Sequence, residues 1–375
     1  MYNLFNDNAI IVKDPFVGRK DELRRLSSDF VFLTNTAVLA PRGYGKSSLV
    51  KVAAQHAFQN ERKLRFCFVD LSGVRSEETF FELLAQGVLK AVSLNQEEVV
   101  ENVKRFFPHT TPKISFDASG EFFVDIDWSE VRQNREELLD LPHTVATALN
   151  VRMVVCIDEF HLISQIPDPE SLLELFKKKW TSHEGVAYSI CATSLPLVEK
   201  FLKESPMFHL YGDVIHLSQV SRSDMVRSIR DNFADNAKYI DVEVAELIVD
   251  LAGNNAFYTH RLAHLARIGS VIECSRNVVL DAHETILTHM DLVFRNMTEG
   301  LTTQQLCYLH AVLSGETVIS TSEVLHRHRI SSATSASRSK VALLERGVIC
   351  NVDGKICFSD PIYASWLKSR YFVKK

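Results

Sequence analysis

The feature that most constrains this chain is a nine-residue turn between an apolar run and a helix-forming stretch. The turn reads Ala-Pro-Arg-Gly-Tyr-Gly-Lys-Ser-Ser and occupies residues 40–48. The apolar run 36–39 precedes it, and residues 49–54 have a helical composition. A strand, a glycine-bearing turn and a helix start form the context of a phosphate-binding loop of the pattern GxxxxGK[ST], here with Ala40 in the place of the first glycine.

The turn predicts a nucleotide site, because backbone N–H groups at a helix N-terminus bind phosphate oxygens. Lys46 is expected to reach the β- and γ-phosphates and to act in catalysis, and the Ser47 hydroxyl to hold Mg²⁺. The predicted nucleotide-binding residues of this loop are Pro41, Arg42, Gly43, Tyr44, Gly45, Lys46, Ser47 and Ser48.

A second motif is the apolar run from Met153 to Ile157, which ends in the two carboxylates Asp158 and Glu159. A run without a polar face is typical of a central parallel strand, whose carboxyl end faces the ligand crevice. Asp158 is then expected to bind Mg²⁺ or its waters, and Glu159 to deprotonate the water that attacks the γ-phosphate. The alternative is a buried strand that ends in a solvated turn, and the loop upstream favours the nucleotide site.

Other residues are candidates for the same site. Phe16, Val17 and Gly18 precede the first predicted helix and are expected to line an adenine pocket, unless they are an ordinary helix lead-in. The apolar run 187–192 is followed by the hydroxyls of Thr193 and Ser194, and we favour Ser194 for a catalytic contact with the γ-phosphate or the water. The alternative for both hydroxyls is to cap the next helix.

Composition places limits on location and partners. The net charge is −5, yet residues 301–375 contain ten Lys or Arg against five Asp or Glu, so the basic surplus lies at this end. The seven cysteines form no CxxC pair and are expected to be reduced core residues of a cytoplasmic protein. Charges occur throughout the first 20 residues and no run of 18 apolar residues occurs, so no membrane partner is expected.

The order of predicted elements indicates an α/β fold in three domains. Residues 1–217 alternate strands and helices as a P-loop NTPase core with a parallel sheet, including a hairpin over 112–126. Residues 218–297 are expected to be a helical lid, with no strands after Ser221. Residues 298–375 have the order of a winged helix, three helices and a hairpin with an Asp353-Gly354 turn.

A winged helix places its third helix in the major groove of double-stranded DNA. The surplus of positive charge favours this use over the alternative, a module that docks a protein partner. The predicted DNA contacts are Arg327, Arg329, Ser335, Arg338, Lys340 and Lys355.

The order of the motifs resembles the archaeal-type ATPases of the AAA+/STAND group, relatives of the ATPases that load replication origins. The resemblance rests on Phe-Val-Gly-Arg at 16–19, the loop at 40–47 and Ile-Asp-Glu-Phe-His at 157–161. It implies binding of ATP or ADP between core and lid, and a second-sensor contact from the lid near residues 253–258. Relatives commonly have a Gly-His-Pro-Tyr-like sequence there, whereas this chain has Asn-Asn-Ala-Phe. The candidates for the lid contact with the nucleotide are then His260 and Arg261, and we choose Arg261 as the predicted nucleotide-binding residue.

The chain departs from many of these relatives at another position. They carry an arginine after a Tyr-Gly pair, whereas Tyr211-Gly212 is followed here by Asp213. An arginine finger contributes about 10³- to 10⁵-fold in rate where it is used. We therefore expect a slowly hydrolysing ATPase that works as a switch, and an oligomer formed with nucleotide is compatible with the sequence. Its function is then either ATP-controlled DNA binding or remodelling, or STAND-like signalling or scaffolding through a docked protein.

Overall fold

The computed structural model describes residues 17–107, 112–117, 121–126, 128–193, 196–210, 212–352 and 354–372. The chain divides into two compact units. The first unit comprises Met1–Ala40 and Lys46–Ser218, and the second comprises Pro41–Gly45 and Gln219–Lys375. The predicted division into three domains stays a prediction.

The first unit contains a five-stranded parallel sheet of order β2-β5-β6-β1-β7, and a separate antiparallel hairpin, β3–β4. The strands are β1 (Thr36–Leu39), β2 (Leu64–Asp70), β3 (Lys113–Phe116), β4 (Phe122–Asp125), β5 (Arg152–Asp158), β6 (Val186–Ala192) and β7 (Asp213–His216). Every residue of β1 and β6 is buried, as expected for central strands that are covered on both faces. The α/β class and the parallel sheet are thereby confirmed.

The helices of the first unit are α1 (Lys20–Phe32), α2 (Lys46–Asn60), α3 (Glu77–Val92), α4 (Gln96–Phe106), α5 (Trp128–Leu149), α6 (Pro169–Trp180), α7 (Pro196–Glu204) and α8 (Pro206–His209). α5 begins at Trp128 and is interrupted by a non-helical residue, Asn134, so a separate helical stretch runs from Arg135 to Leu149. The Asp158 strand is followed by a 3-10 turn over Phe160–Gln165.

The registers of the parallel strands bring three strand ends to one edge of the sheet. Leu39 of β1 pairs with Ala192 of β6, and Ile157 of β5 pairs with Ile190 of β6. β6 therefore lies between the strand that leads to Ala40 and the strand that ends at Asp158. Carboxyl ends of parallel strands are where α/β folds bind ligands.

The second unit is mainly helical. Its helices are α9 (Arg222–Asp235), α10 (Val242–Leu251), α11 (Ala256–Gly269), α12 (Arg276–His289), α13 (Asp291–Glu299), α14 (Thr303–Leu313), α15 (Ser322–Arg327), α16 (Ala333–Glu345) and α17 (Pro361–Trp366). The strands are β8 (Tyr239–Ile240), β9 (Glu273–Cys274), β10 (Ile349–Val352) and β11 (Lys355–Phe358).

The prediction that strands stop at Ser221 was wrong. β8 and β9 form a parallel pair, in which the buried residues Ile240 and Cys274 are partners. Strands of two residues carry no periodicity that a sequence pattern could reveal. The order of three helices and an antiparallel hairpin was right: α14, α15 and α16 are followed by β10 and β11, and we name residues 303–358 the helix–hairpin segment.

The cysteines are free thiols, and Cys67, Cys156, Cys191 and Cys274 are buried as expected. Cys357 is exposed and departs from that expectation, because it lies on the hairpin strand β11. Among the residues with described structure, no helix has both the length and the apolar composition needed to cross a membrane.

Candidate functional site

The turn that follows β1, where the phosphate-binding loop is predicted, contains two glycines with left-handed backbone angles. Gly43 has φ +81° and Gly45 has φ +87°, the left-handed region that glycine enters without a steric penalty. Ala40, the departure from the usual pattern, is absent from the residues with positive φ, so its methyl group causes no backbone strain. The substitution of alanine for glycine is therefore compatible with this loop.

Lys46 is the cation of the loop and begins α2. Only 4% of its surface is exposed, and its Nζ donates a hydrogen bond to the Ala40 carbonyl oxygen at 2.9 Å. A buried ammonium group loses hydration, so it favours an anionic partner strongly. Ser47 follows it in the first turn of α2, where a hydroxyl and backbone N–H groups lie near the positive end of the helix.

The two predicted carboxylates lie at the end of β5. Asp158 Oδ1 accepts a hydrogen bond from the Glu159 backbone N–H at 2.8 Å. Glu159 has φ +52° and ψ +36°, a left-handed conformation that is uncommon for a residue with a side chain. Such backbone strain concentrates at functional sites, where surrounding structure holds it in place.

His161 is a residue of this cluster to which the sequence pattern gave no role. Its Nε2 lies 3.4 Å from Glu159 Oε2, and its Nδ1 accepts a hydrogen bond from the Thr193 backbone N–H at 3.4 Å. The imidazole thus connects the carboxylate after β5 to the end of β6. Its signals in the sequence were its place two residues after Glu159 and its presence in the stretch 157–161 on which the resemblance rests.

The oxygen donors in the first unit fit a magnesium ion bound together with phosphates. Mg²⁺ is usually held by one or two protein oxygens, with substrate phosphates and water in the other positions. Ser47 and Asp158 provide a hydroxyl and a carboxylate of this kind. Within the part of the chain that the structure describes, no group of three or more His, Cys, Asp or Glu forms a metal site by itself.

The remaining predicted nucleotide residues have different outcomes. Phe16 and Ser194 lie outside the described residues. Gly18 is exposed with φ +68°, and Val17 is half-buried beside it, so their contact with adenine stays a prediction. The next residue, Arg19, is buried and donates to the Ser218 carbonyl at 2.6 Å.

The second unit, which includes Pro41–Gly45, contains contacts to the loop that were not predicted. Asn255 Nδ2 donates to the Arg42 carbonyl at 3.0 Å, and the Phe257 N–H donates to the Gly43 carbonyl at 3.2 Å. Arg261 is exposed on α11, and its predicted contact with phosphate stays a prediction.

Asp213 occupies the position where many relatives of the resembled group carry an arginine. Both of its carboxylate oxygens accept hydrogen bonds from the Arg25 guanidinium of α1. Burial, followed by the negative charge of Asp213, raises the pKa of the neighbouring Asp29 to about 7. Position 213 thus carries a carboxylate that is paired with Arg25 of the same unit.

The predicted DNA contacts separate into paired and unpaired side chains. Arg327 forms ion pairs of 2.6 Å with both Glu316 and Glu323. The Ser335 hydroxyl donates to Gln304 Oε1 at 3.0 Å, which secures the start of α16. The exposed basic side chains for which no ion pair occurs among the described residues are Arg329, Arg338, Lys340 and Lys355.

Comparison with known proteins bears on the fold of the chain. No family model matches the sequence, and no curated protein matches it either. Among solved structures, a Walker-type ATPase of Pyrococcus abyssi is similar with a TM-score of 0.65 at 17% identity, over 93% of this chain and 95% of that one. The Aeropyrum pernix ORC2 protein in its ADPNP–ADP complexes gives 0.58 at 14%, over 98% and 97%.

A third similar structure is the Aeropyrum pernix ORC1 protein in complex with DNA, with a TM-score of 0.52 at 14% identity, over 96% of this chain and 95% of that one. All three alignments extend over nearly the whole of both chains. At these identities the likeness establishes architecture rather than activity. The chain therefore has the fold of the archaeal ORC-like P-loop ATPases.

Proposed function

We propose that this protein binds ATP·Mg²⁺ at the loop 40–48 and hydrolyses it slowly, as a nucleotide-controlled switch. The observation that carries the proposal is Lys46, a buried cation held 2.9 Å from the Ala40 carbonyl at a turn with two left-handed glycines. The ADPNP–ADP complexes of the similar ORC2 protein support the same ligand.

The site residues of the first unit have separate roles in this proposal. Lys46 neutralises the β- and γ-phosphates, and Ser47 and Asp158 hold Mg²⁺, which would stabilise the charge that develops on the phosphates. Glu159 orients a water and accepts its proton, and His161 fixes the Glu159 carboxylate in position. Asp213 offers no positive charge to a neighbouring site, which supports slow hydrolysis.

The second part of the proposal assigns the helix–hairpin segment as a winged helix that binds double-stranded DNA. Support comes from Arg338 and Lys340 on α16, which are exposed and form no ion pair within the described part of the chain, and from the similar ORC1 structure in complex with DNA. A protein-docking role is the second candidate. It is favoured by Arg327 and Ser335, whose polar groups are already bound within the segment.

The test compares the parent protein with Glu159→Gln. The amide cannot accept a proton, while Lys46, Ser47 and Asp158 still bind ATP·Mg²⁺, so turnover is expected to fall by about a hundredfold or more. Calorimetry should give an ATP affinity within about threefold of the parent, and phosphate release measures the rate. Equal losses of binding and turnover would contradict the role of Glu159 as the base.

A matched control is Glu184→Gln, an exposed glutamate of the same unit. It removes one carboxylate from the surface and is expected to leave both measurements unchanged. A parent protein that shows neither ATP binding nor phosphate release would contradict the proposed function as a whole.

A further inference from the structure

A continuous line of hydrogen bonds runs through the second unit from the loop to the C-terminal helix α17. The line starts at the Arg42 carbonyl, which accepts from Asn255 Nδ2 at 3.0 Å. Asn255 Oδ1 accepts from the Tyr258 N–H at 3.3 Å and so caps α11. Tyr258 Oη donates to Asp360 Oδ2 at 2.6 Å.

Asp360 is the last member of the line and caps α17. Its Oδ1 accepts from the backbone N–H groups of Ile362 at 2.8 Å and Tyr363 at 3.1 Å. One carboxylate therefore receives the Tyr258 hydroxyl on one oxygen and the first turn of α17 on the other. A change at Tyr258 changes the cap of this helix directly.

The start of the line is tightly packed. Asn255 is only 3% exposed, and a Cβ added at Gly43 would lie 2.5 Å from its side-chain amide. Near the other end, a Cβ added at Gly253 would lie 2.6 Å from Pro361. Neither contact has room for a larger group, so movement at one element is passed to the next rather than absorbed.

Peptide geometry gives these bonds a function toward phosphate. In a trans peptide the C=O and the following N–H point in opposite directions. Asn255 binds the Arg42 carbonyl and Phe257 N–H binds the Gly43 carbonyl. The N–H groups of Gly43 and Tyr44 belong to the same two peptide units, so these bonds direct both donors to the opposite side.

We propose that Asn255 is a positioning residue that preorganises the loop for phosphate, and that Asn255, Tyr258 and Asp360 relay nucleotide occupancy to α17. The inference rests on the proposed function, because the relay is driven by ATP in the loop. Coupling is reciprocal: if the Asn255 contact strengthens phosphate binding, bound phosphate strengthens that contact and the helix cap that depends on it.

The first test is ATP binding by Asn255→Ser. Serine still caps α11 but is too short to donate to the Arg42 carbonyl, so the loop loses its support while the helix keeps its cap. The dissociation constant for ATP·Mg²⁺ is expected to rise about tenfold. Asn95→Ser is the matched control, because Asn95 caps α4 in the same manner, and it should bind ATP as the parent does.

The second test follows the far end of the relay by hydrogen exchange. Adding ATP·Mg²⁺ to the parent should slow exchange of the backbone amides at residues 362–366. Tyr258→Phe lacks the bond to Asp360 and should bind ATP within about threefold of the parent but show no slowing there. Tyr239→Phe removes a comparable tyrosine–aspartate bond, to Asp241, and should respond as the parent does.

The outcomes separate the relay from the function on which it rests. The relay is overturned if Asn255→Ser binds ATP within twofold of the parent, or if Tyr258→Phe still shows slowed exchange in α17. A parent that binds no ATP overturns the proposed function, and the relay with it. A parent that binds ATP without slowed exchange in α17 overturns the relay alone.

Discussion

The cation of the loop and the cations of α16 differ in how the protein holds them. Lys46 is buried and fixed to a backbone carbonyl of its own loop. Arg338 and Lys340 are exposed, and no ion pair holds either of them among the described residues. A fixed, desolvated charge selects one anion at one distance, whereas mobile surface charges attract a polyanion and are screened by salt.

The same contrast extends to the other charged groups of the two regions. Glu159 has His161 beside it, and Asp213 is bound by Arg25. On α16, Arg338 and Lys340 form no ion pair with any residue that the structure describes. We therefore expect substitutions around the loop to change the binding of ATP or the rate of its hydrolysis. Substitutions on α16 are expected to change a salt-dependent affinity for DNA.

Among the next three substitutions, the largest effect is expected for the double substitution Arg338→Glu and Lys340→Glu. Two cations that we propose contact DNA phosphates become anions, so affinity for duplex DNA should fall at least about tenfold and its dependence on salt should flatten. Fluorescence anisotropy with a labelled duplex at several salt concentrations measures both effects. The affinity for ATP should remain that of the parent.

Lys200→Glu with Lys203→Glu on α7 is the charge-matched control, because both lysines are exposed. DNA binding that falls equally in the two double variants would show a general effect of net charge. If neither the parent nor the α16 variant bound duplex DNA at low salt, the proposed DNA-binding role of α16 would be contradicted. A protein-docking role of the helix–hairpin segment would then be favoured.

A smaller effect is expected for His161→Ala. The variant loses the group that holds the Glu159 carboxylate, so turnover should fall about fivefold while ATP affinity is unchanged. His161→Gln can still donate to Glu159 and should recover part of the rate. A change in ATP affinity without a change in rate would contradict the positioning role, and phosphate-release assays with calorimetry distinguish the two.

The smallest effect concerns Asp29. Burial and the charge of Asp213 raise its pKa in the folded state to about 7, above the ordinary carboxyl value. The folded state therefore binds the proton more tightly than the unfolded state, and stability falls as pH rises through the interval from about 4 to 7.

Asp29→Asn is neutral at every pH and removes this loss. Its unfolding midpoint relative to the parent should rise by about 1–2 °C between pH 4 and pH 8. Thermal unfolding at the two pH values measures the difference. A constant difference would show that Asp29 does not titrate in this interval.

The sequence predicted the elements whose residues carry a clear pattern. β1 and β5 were identified because apolar runs without a polar face become central strands, and the carboxylates after Ile157 then fell at the ligand edge of the sheet. The Asp353-Gly354 dipeptide located the β10–β11 hairpin for a similar reason, since that pair is typical of a tight turn.

The sequence could not reveal contacts that depend on tertiary structure. Asn255 and Arg42 are 213 positions apart, and no local pattern connects them. His161 owes its position to the left-handed Glu159 and the 3-10 turn after it, a backbone path that residue preferences do not predict. The pairing of Asp213 with Arg25 was likewise absent from any motif, although the aspartate itself was noticed.

The central claim is that a buried Lys46 binds the phosphates of ATP, and titration calorimetry of parent and Lys46→Ala with ATP·Mg²⁺ tests it most directly. Lys51→Ala serves as the control, because Lys51 lies on the same helix with its ammonium group 5.9 Å from the Phe68 ring centre. The account predicts one ATP per chain for the parent and for Lys51→Ala, and no measurable binding for Lys46→Ala. Unchanged ATP affinity in Lys46→Ala would contradict the assignment of the phosphate-binding loop.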